Sequence, residues 1–92
     1  MWFITRIELH KATHDDYEVL HAAMEDQGFI RAIDSDSGVW YHLPTAEYYR
    51  YGNFSIEEVL REAKAAASSV GRAFGAIVTQ SPRMMWCNLE KV

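Results

Sequence analysis

Four histidines are the groups in this chain that change charge near neutral pH, and two of them stand where a sheet can hold them. His10 and His42 each fall near the end of a stretch that alternates like a strand, so either can act as a general acid or base. The competing reading of each is a solvated histidine. Glu8, two residues before His10, offers a carboxylate; the plainer reading is an exposed strand residue paired with Arg6 or Arg31. His14 and His21 are seven apart and can share a helical face, but no cysteine or third histidine completes a zinc set. Asp34, Asp36 and Gly38 begin like a calcium loop. The further ligand before the glycine and the glutamate after it are missing, which leaves a hairpin turn. There is no nucleophile elbow and no phosphate-cradling glycine loop. These spacings predict neither a metal nor a cofactor.

The elements that must position these groups are legible in the periodicity. Phe3, Thr5, Ile7 and Leu9 alternate with Trp2, Ile4, Arg6, Glu8 and His10, which predicts a first strand over residues 2–9 with one buried face. Thr13-His14-Asp15-Asp16 caps a helix over about 14–27, closed by Gly28. Residues 29–33 and 39–43 predict a hairpin around the turn cluster Asp34-Ser35-Asp36-Ser37-Gly38. Pro44 ends the pairing, and 45–53 yields no assignment. Ser55-Ile56-Glu57-Glu58 opens a second helix over about 56–70 as a capping box, with Ile56, Val59, Leu60, Ala63, Ala66, Ala67 and Val70 as its apolar stripe. Strands follow over 74–79 and 84–89. The order β-α-β-β-α-β plus an extra C-terminal strand predicts an α+β, ferredoxin-like sandwich, two helices on one face of an antiparallel sheet. Its open face is expected to be covered by a second copy, a homodimer, with Trp2, Trp40 and Trp86 supplying apolar contact.

Size and charge narrow the classes. The chain has 92 residues, enough for one domain over 1–92 and one modest core. Its net charge is 9 − 13 = −4, which argues against a general polyanion binder. Cys87 is the one cysteine, so no intrachain disulfide forms, and it reads as a small buried apolar residue. No run resembles a signal peptide or a membrane span, and a cytoplasmic setting is the expectation. The strand order is also that of the RNA-recognition motif, but the basic, glycine and aromatic signature of that module is absent from Gly38-Val39-Trp40-Tyr41-His42-Leu43.

Three segments together, Phe3-Ile4-Thr5-Arg6-Ile7-Glu8-Leu9-His10, Thr13-His14-Asp15-Asp16-Tyr17 and Tyr41-His42-Leu43-Pro44-Thr45-Ala46-Glu47-Tyr48, resemble the GhoS family of small bacterial proteins. The likeness runs from the first strand to about Thr79. It implies a ferredoxin-like fold related to the small CRISPR adaptation nuclease. It also implies the role of an antitoxin in a type V toxin–antitoxin system, an endoribonuclease acting on the toxin's messenger. Where the CRISPR nuclease carries an aspartate at the end of its first strand, this chain has Glu8 and His10, which sets the resemblance apart from a magnesium site. For metal-free cleavage of single-stranded RNA, His10 and His42 are then the expected base and acid, and Arg6 or Arg31 the phosphate cation. Trp40 and Tyr41 are expected to hold bases, with Arg50 beside them.

A second reading is a non-enzymatic, dimeric protein-interaction module, a phage-type inhibitor or regulator. It would act through its acidic surface and the tyrosine-rich segment Thr45 to Tyr51, since Tyr and Arg are common interface anchors.

Overall fold

The computed structural model describes residues 1–92. In chain order the elements are β1 (Trp2–Leu9), α1 (His14–Asp26), β2 (Ala32–Asp34), β3 (Trp40–His42), β4 (Glu47–Tyr51), α2 (Ile56–Ser68) and β5 (Phe74–Ser81). The architecture is α+β: two helices, an antiparallel three-stranded sheet in the order β4-β1-β5, and a small antiparallel β2-β3 sheet.

The period-2 pattern of β1 sorts its side chains as expected. Phe3, Thr5, Ile7 and Leu9 are buried beneath the helices, while Arg6 and Glu8 project from the other face. In α1 the Thr13 hydroxyl accepts the Asp16 amide at 3.2 Å, and Asp16 Oδ2 accepts the Thr13 amide at 2.9 Å. That return bond, with the Arg72 guanidinium 2.9 Å away, holds the Asp16 carboxyl below its ordinary range. The cap of α2 is one-sided: Ser55 Oγ accepts the Glu58 amide at 3.0 Å, and the return bond expected of a capping box is not made. Buried Ala63, Ala66 and Ala67 have no bulk beyond Cβ, which lets α2 lie close on the sheet. The core joins Phe3, Ile7, Leu20, Met24, Phe29, Tyr48 and Val59 with these alanines.

One buried position is chemically mismatched. Thr5 is fully buried on the helix-facing side of β1, and its Oγ1 has no hydrogen-bond partner. An unpaired buried hydroxyl costs about 1–3 kcal/mol relative to solvent. Thr5→Val keeps the shape and removes the hydroxyl, so it is expected to raise unfolding free energy by about 1 kcal/mol in a urea titration. A lower midpoint at unchanged slope contradicts this account.

Two outcomes differ from the sequence reading. The 39–43 run contributes β3 to the small β2-β3 sheet, while the segment that gave no assignment holds β4, which pairs with β1. Its Tyr48 is buried under the helices and its Tyr49 on the opposite face, so neither face is polar enough to show alternation. Residues 84–89 form no strand. Asn88 adopts a left-handed conformation with φ 59°, which breaks an extended run, and only Lys91 bridges to Tyr41.

The sheet face away from the helices is therefore not wholly open. Tyr49 and Ile33 are 5% and 3% exposed, although they belong to different sheets. The β2-β3 hairpin and the C-terminal segment close over the Trp2 end. The Glu90 carbonyl accepts the His42 amide at 2.7 Å, and the Trp40 carbonyl accepts the Val92 amide at 3.1 Å. Trp2 meets Tyr51 at a ring separation of 5.8 Å, and Trp86 stands edge-on to Tyr41 at 5.7 Å. Two of the three tryptophans expected to meet a second copy thus have partners within the chain; Trp40 is 41% exposed.

Candidate functional site

The far end of β1 stays uncovered, and there the chain collects its accessible polar chemistry. Arg6 and Glu8 are on one face by strand alternation, and His10 follows where β1 runs into a turn. His10 Nε2 lies 3.3 Å from Glu8 Oε1, both side chains more than half exposed. The partner of Glu8 is therefore His10, not Arg6 or Arg31. Arg6 makes no ion pair, and its strand neighbours are Glu47 on β4 and Ile77 on β5. Gly75, directly across from Glu8, adds no side chain and has open space where a Cβ would be. The result is a shallow, exposed surface with a free guanidinium and a carboxylate–imidazole pair.

The other sequence candidates fall elsewhere. His42 is exposed on β3, beyond β2 and β4 from β1. Strands lie about 4.8 Å apart and each residue rises about 3.3 Å, so it cannot form a catalytic pair with His10. Arg31 is exposed, and its charge acts on His21 and Tyr48 on the helix side of the sheet, opposite Arg6. Trp40 is accessible, whereas Tyr41 is half-buried with its ring against Trp86.

Arg50 departs furthest from expectation. Its side chain is 12% exposed and faces the helices. Arg50 Nη2 lies 2.9 Å from Glu62 Oε2, its Nη1 donates to the Gln27 carbonyl, and its guanidinium sits 4.3 Å over the Phe54 ring and 5.2 Å from Phe29. The Glu62 contact is an ion pair by distance but off hydrogen-bond alignment, which leaves Glu62 Oε2 and Arg50 Nε without a hydrogen-bond partner. Arg50 holds β4 to α2 and is largely buried, which leaves little of its guanidinium for RNA. Gly28, at φ +94°, closes α1 against this guanidinium, and any Cβ there would collide with it.

His14 pairs with Glu18 at 3.6 Å, and His21 turns inward to Tyr48, so the two share no site. No three His, Cys, Asp or Glu side chains converge as metal ligands. The Asp34–Gly38 cluster is a turn, with the Ser35 carbonyl accepting the Gly38 amide at 2.9 Å. Cys87 is exposed, not buried as expected, because the segment carrying it lies outside the sheet. No helix is long and apolar enough to cross a membrane. The tyrosine-rich segment is no interaction surface as a whole: Tyr48 and Tyr49 are buried, and only Tyr51 is well exposed.

Comparison with protein-family models, curated proteins and solved structures finds no match for this chain.

Proposed function

We propose that this protein is an antitoxin-like endoribonuclease of the GhoS type, acting on single-stranded RNA at the exposed end of β1. The observation that carries the proposal is Arg6, Glu8 and His10 together on one accessible surface, with Glu8 and His10 3.3 Å apart. The fold supports it. The Ile30 amide donates to the Tyr49 carbonyl at 2.9 Å and the Tyr49 amide to the Ile30 carbonyl at 2.7 Å, an isolated bridge that brings the chain just before β2 alongside β4. With both helices on one face, this arrangement is compatible with a ferredoxin-like split β-α-β sandwich.

The chemistry balances without a metal. The Glu8 carboxylate takes the proton of a ribose 2′-hydroxyl, and that oxygen attacks the adjacent phosphorus. The bond from phosphorus to the 5′-oxygen breaks, and protonated His10 gives its proton to the departing oxygen. The products are a 2′,3′-cyclic phosphate and a 5′-hydroxyl end. Arg6 sits where charge gathers on the phosphoryl oxygens. The pair His10 and His42 is replaced by Glu8 and His10, because these two lie together at the end of β1 while His42 stands beyond β2 and β4.

The test is incubation of purified protein with the messenger of a short membrane-peptide toxin, in chelator. Cleavage leaving cyclic phosphate ends is expected. Glu8→Gln and His10→Ala are each expected to lower the rate about a hundredfold with circular dichroism unchanged, and His42→Ala to leave it intact. Cleavage that survives both substitutions, or no cleavage of any single-stranded RNA, overturns the assignment.

A further inference from the structure

Between the Trp2 end of the sheet, the hairpin and the C-terminal segment lies a cavity of about 390 Å³, within the range of small-molecule sites. Trp2, Tyr41 and Trp86 present aromatic walls, Asp34 and Asp36 add two carboxylates, and Arg83 is the one cation on its lining. All three rings are half-buried, which leaves ring surface accessible. From Trp2 to Glu8 is roughly 20 Å along β1, so this is not the surface described above.

The ring geometry discriminates between ligands. A nucleobase stacks flat against an aromatic face, and a slot for one needs parallel rings. Here Tyr41 and Trp86 are inclined at 62°, edge to face. Inclined rings form the corner of a cage, an arrangement suited to a compact cation that touches several π faces at once. The charge agrees: two carboxylates against one guanidinium leave the lining at −1, in a chain of net −4. The carboxylate field also reaches inward. Tyr49 is pushed up to about 12, first by burial and then by the Asp34 charge.

We propose that this cavity binds a small organic cation of the quaternary ammonium class, caged by Trp2, Tyr41 and Trp86 and neutralised by Asp34 and Asp36. Arg83 opposes the ligand and weakens its binding.

The probe is choline, set against its neutral carbon isostere 3,3-dimethylbutanol, which has the same shape without the charge. The readout is the indole N–H resonances of the three tryptophans. Choline is expected to shift Trp2 and Trp86 more than Trp40, which leaves β3 on the opposite side from Tyr41. The neutral isostere is expected to bind about tenfold more weakly. The double variant Asp34→Asn, Asp36→Asn is expected to weaken choline by a similar factor, and Arg83→Gln to strengthen it. Equal affinity for the neutral isostere reduces the cavity to an apolar hollow and overturns the proposal. So does choline that leaves both indoles unmoved while the protein's dispersed spectrum shows it folded.

Discussion

Arg50→Ala is expected to lower the unfolding free energy by about 3 kcal/mol. Three losses coincide at this side chain. Glu62, only a quarter exposed, keeps its charge and loses its cation at 2.9 Å. The Gln27 carbonyl at the end of α1 loses its donor, and the faces of Phe54 and Phe29 lose a guanidinium at 4.3 and 5.2 Å. Removing one partner of a fully buried pair costs about 3–5 kcal/mol, and the partial exposure of Glu62 places this pair at the low end. For a domain of this size the melting temperature is expected to fall by about 15 °C. Arg50→Lys recovers only part of this, because an ammonium cannot span Glu62, the carbonyl and two rings with one planar fork. The companion Arg50→Met, Glu62→Leu removes both charges and is expected to be far milder than Arg50→Ala. A melting temperature within a few degrees of wild type for Arg50→Ala shows that the pair is solvated and carries little. If Arg50 were an RNA contact instead, Arg50→Ala would leave stability alone and weaken binding.

The contrast between Arg50 and Arg6 shows where sequence reading stops. Both belong to strands of one sheet, and type alone gives both a place in RNA binding, Arg6 as a phosphate cation and Arg50 beside the bases. Their faces decide. On β1 the partition was legible, because Phe3, Ile7 and Leu9 alternate with Arg6 and Glu8 in a regular polarity pattern. On β4 it was not, since tyrosines fall on both faces and both are covered, one by helices and one by the hairpin. The helix starts were legible because capping is local: Thr13 and Ser55 lie three residues from the amides they accept. The fold-over of the hairpin and C-terminal segment was not, because Trp2, Ile33 and Trp86 approach one another through packing that no short-range pattern encodes. The site follows the same division. Glu8 and His10 meet because a single residue separates them at the end of β1, whereas β2 and β4 stand between His10 and the strand that carries His42.

Tyr48→Ala is expected to cost about 4 kcal/mol, the largest effect of a single truncation in β4. Tyr48 is the bulkiest fully buried side chain, so its removal opens a cavity between β4 and α1. Its hydroxyl is also the partner of His21, whose Nδ1 lies 2.6 Å away at 6% exposure. Tyr48→Phe isolates that second contribution: the cavity stays filled, His21 Nδ1 is left unpaired, and the expected loss is about 1–2 kcal/mol. The same pair gives the fold a pH dependence of definite sign. Burial, and then the Arg31 charge, hold His21 below its ordinary value of 6.5, against weaker opposing pulls from Glu18 and Glu25. Burial also pushes the Tyr48 hydroxyl well above its ordinary value, so it keeps its proton beside the imidazole. Above pH 6.5 folded and unfolded chains both carry a neutral His21, and this residue favours neither. Below it the unfolded chain takes up a proton that the folded chain refuses until its own lower value is reached, so stability falls as pH drops through that window. Urea titrations stepped downward from neutral pH are expected to show this slope in the wild type and a flatter one in His21→Gln. An equal slope in both assigns the acid sensitivity to other groups and leaves the tyrosine–histidine contact as packing alone.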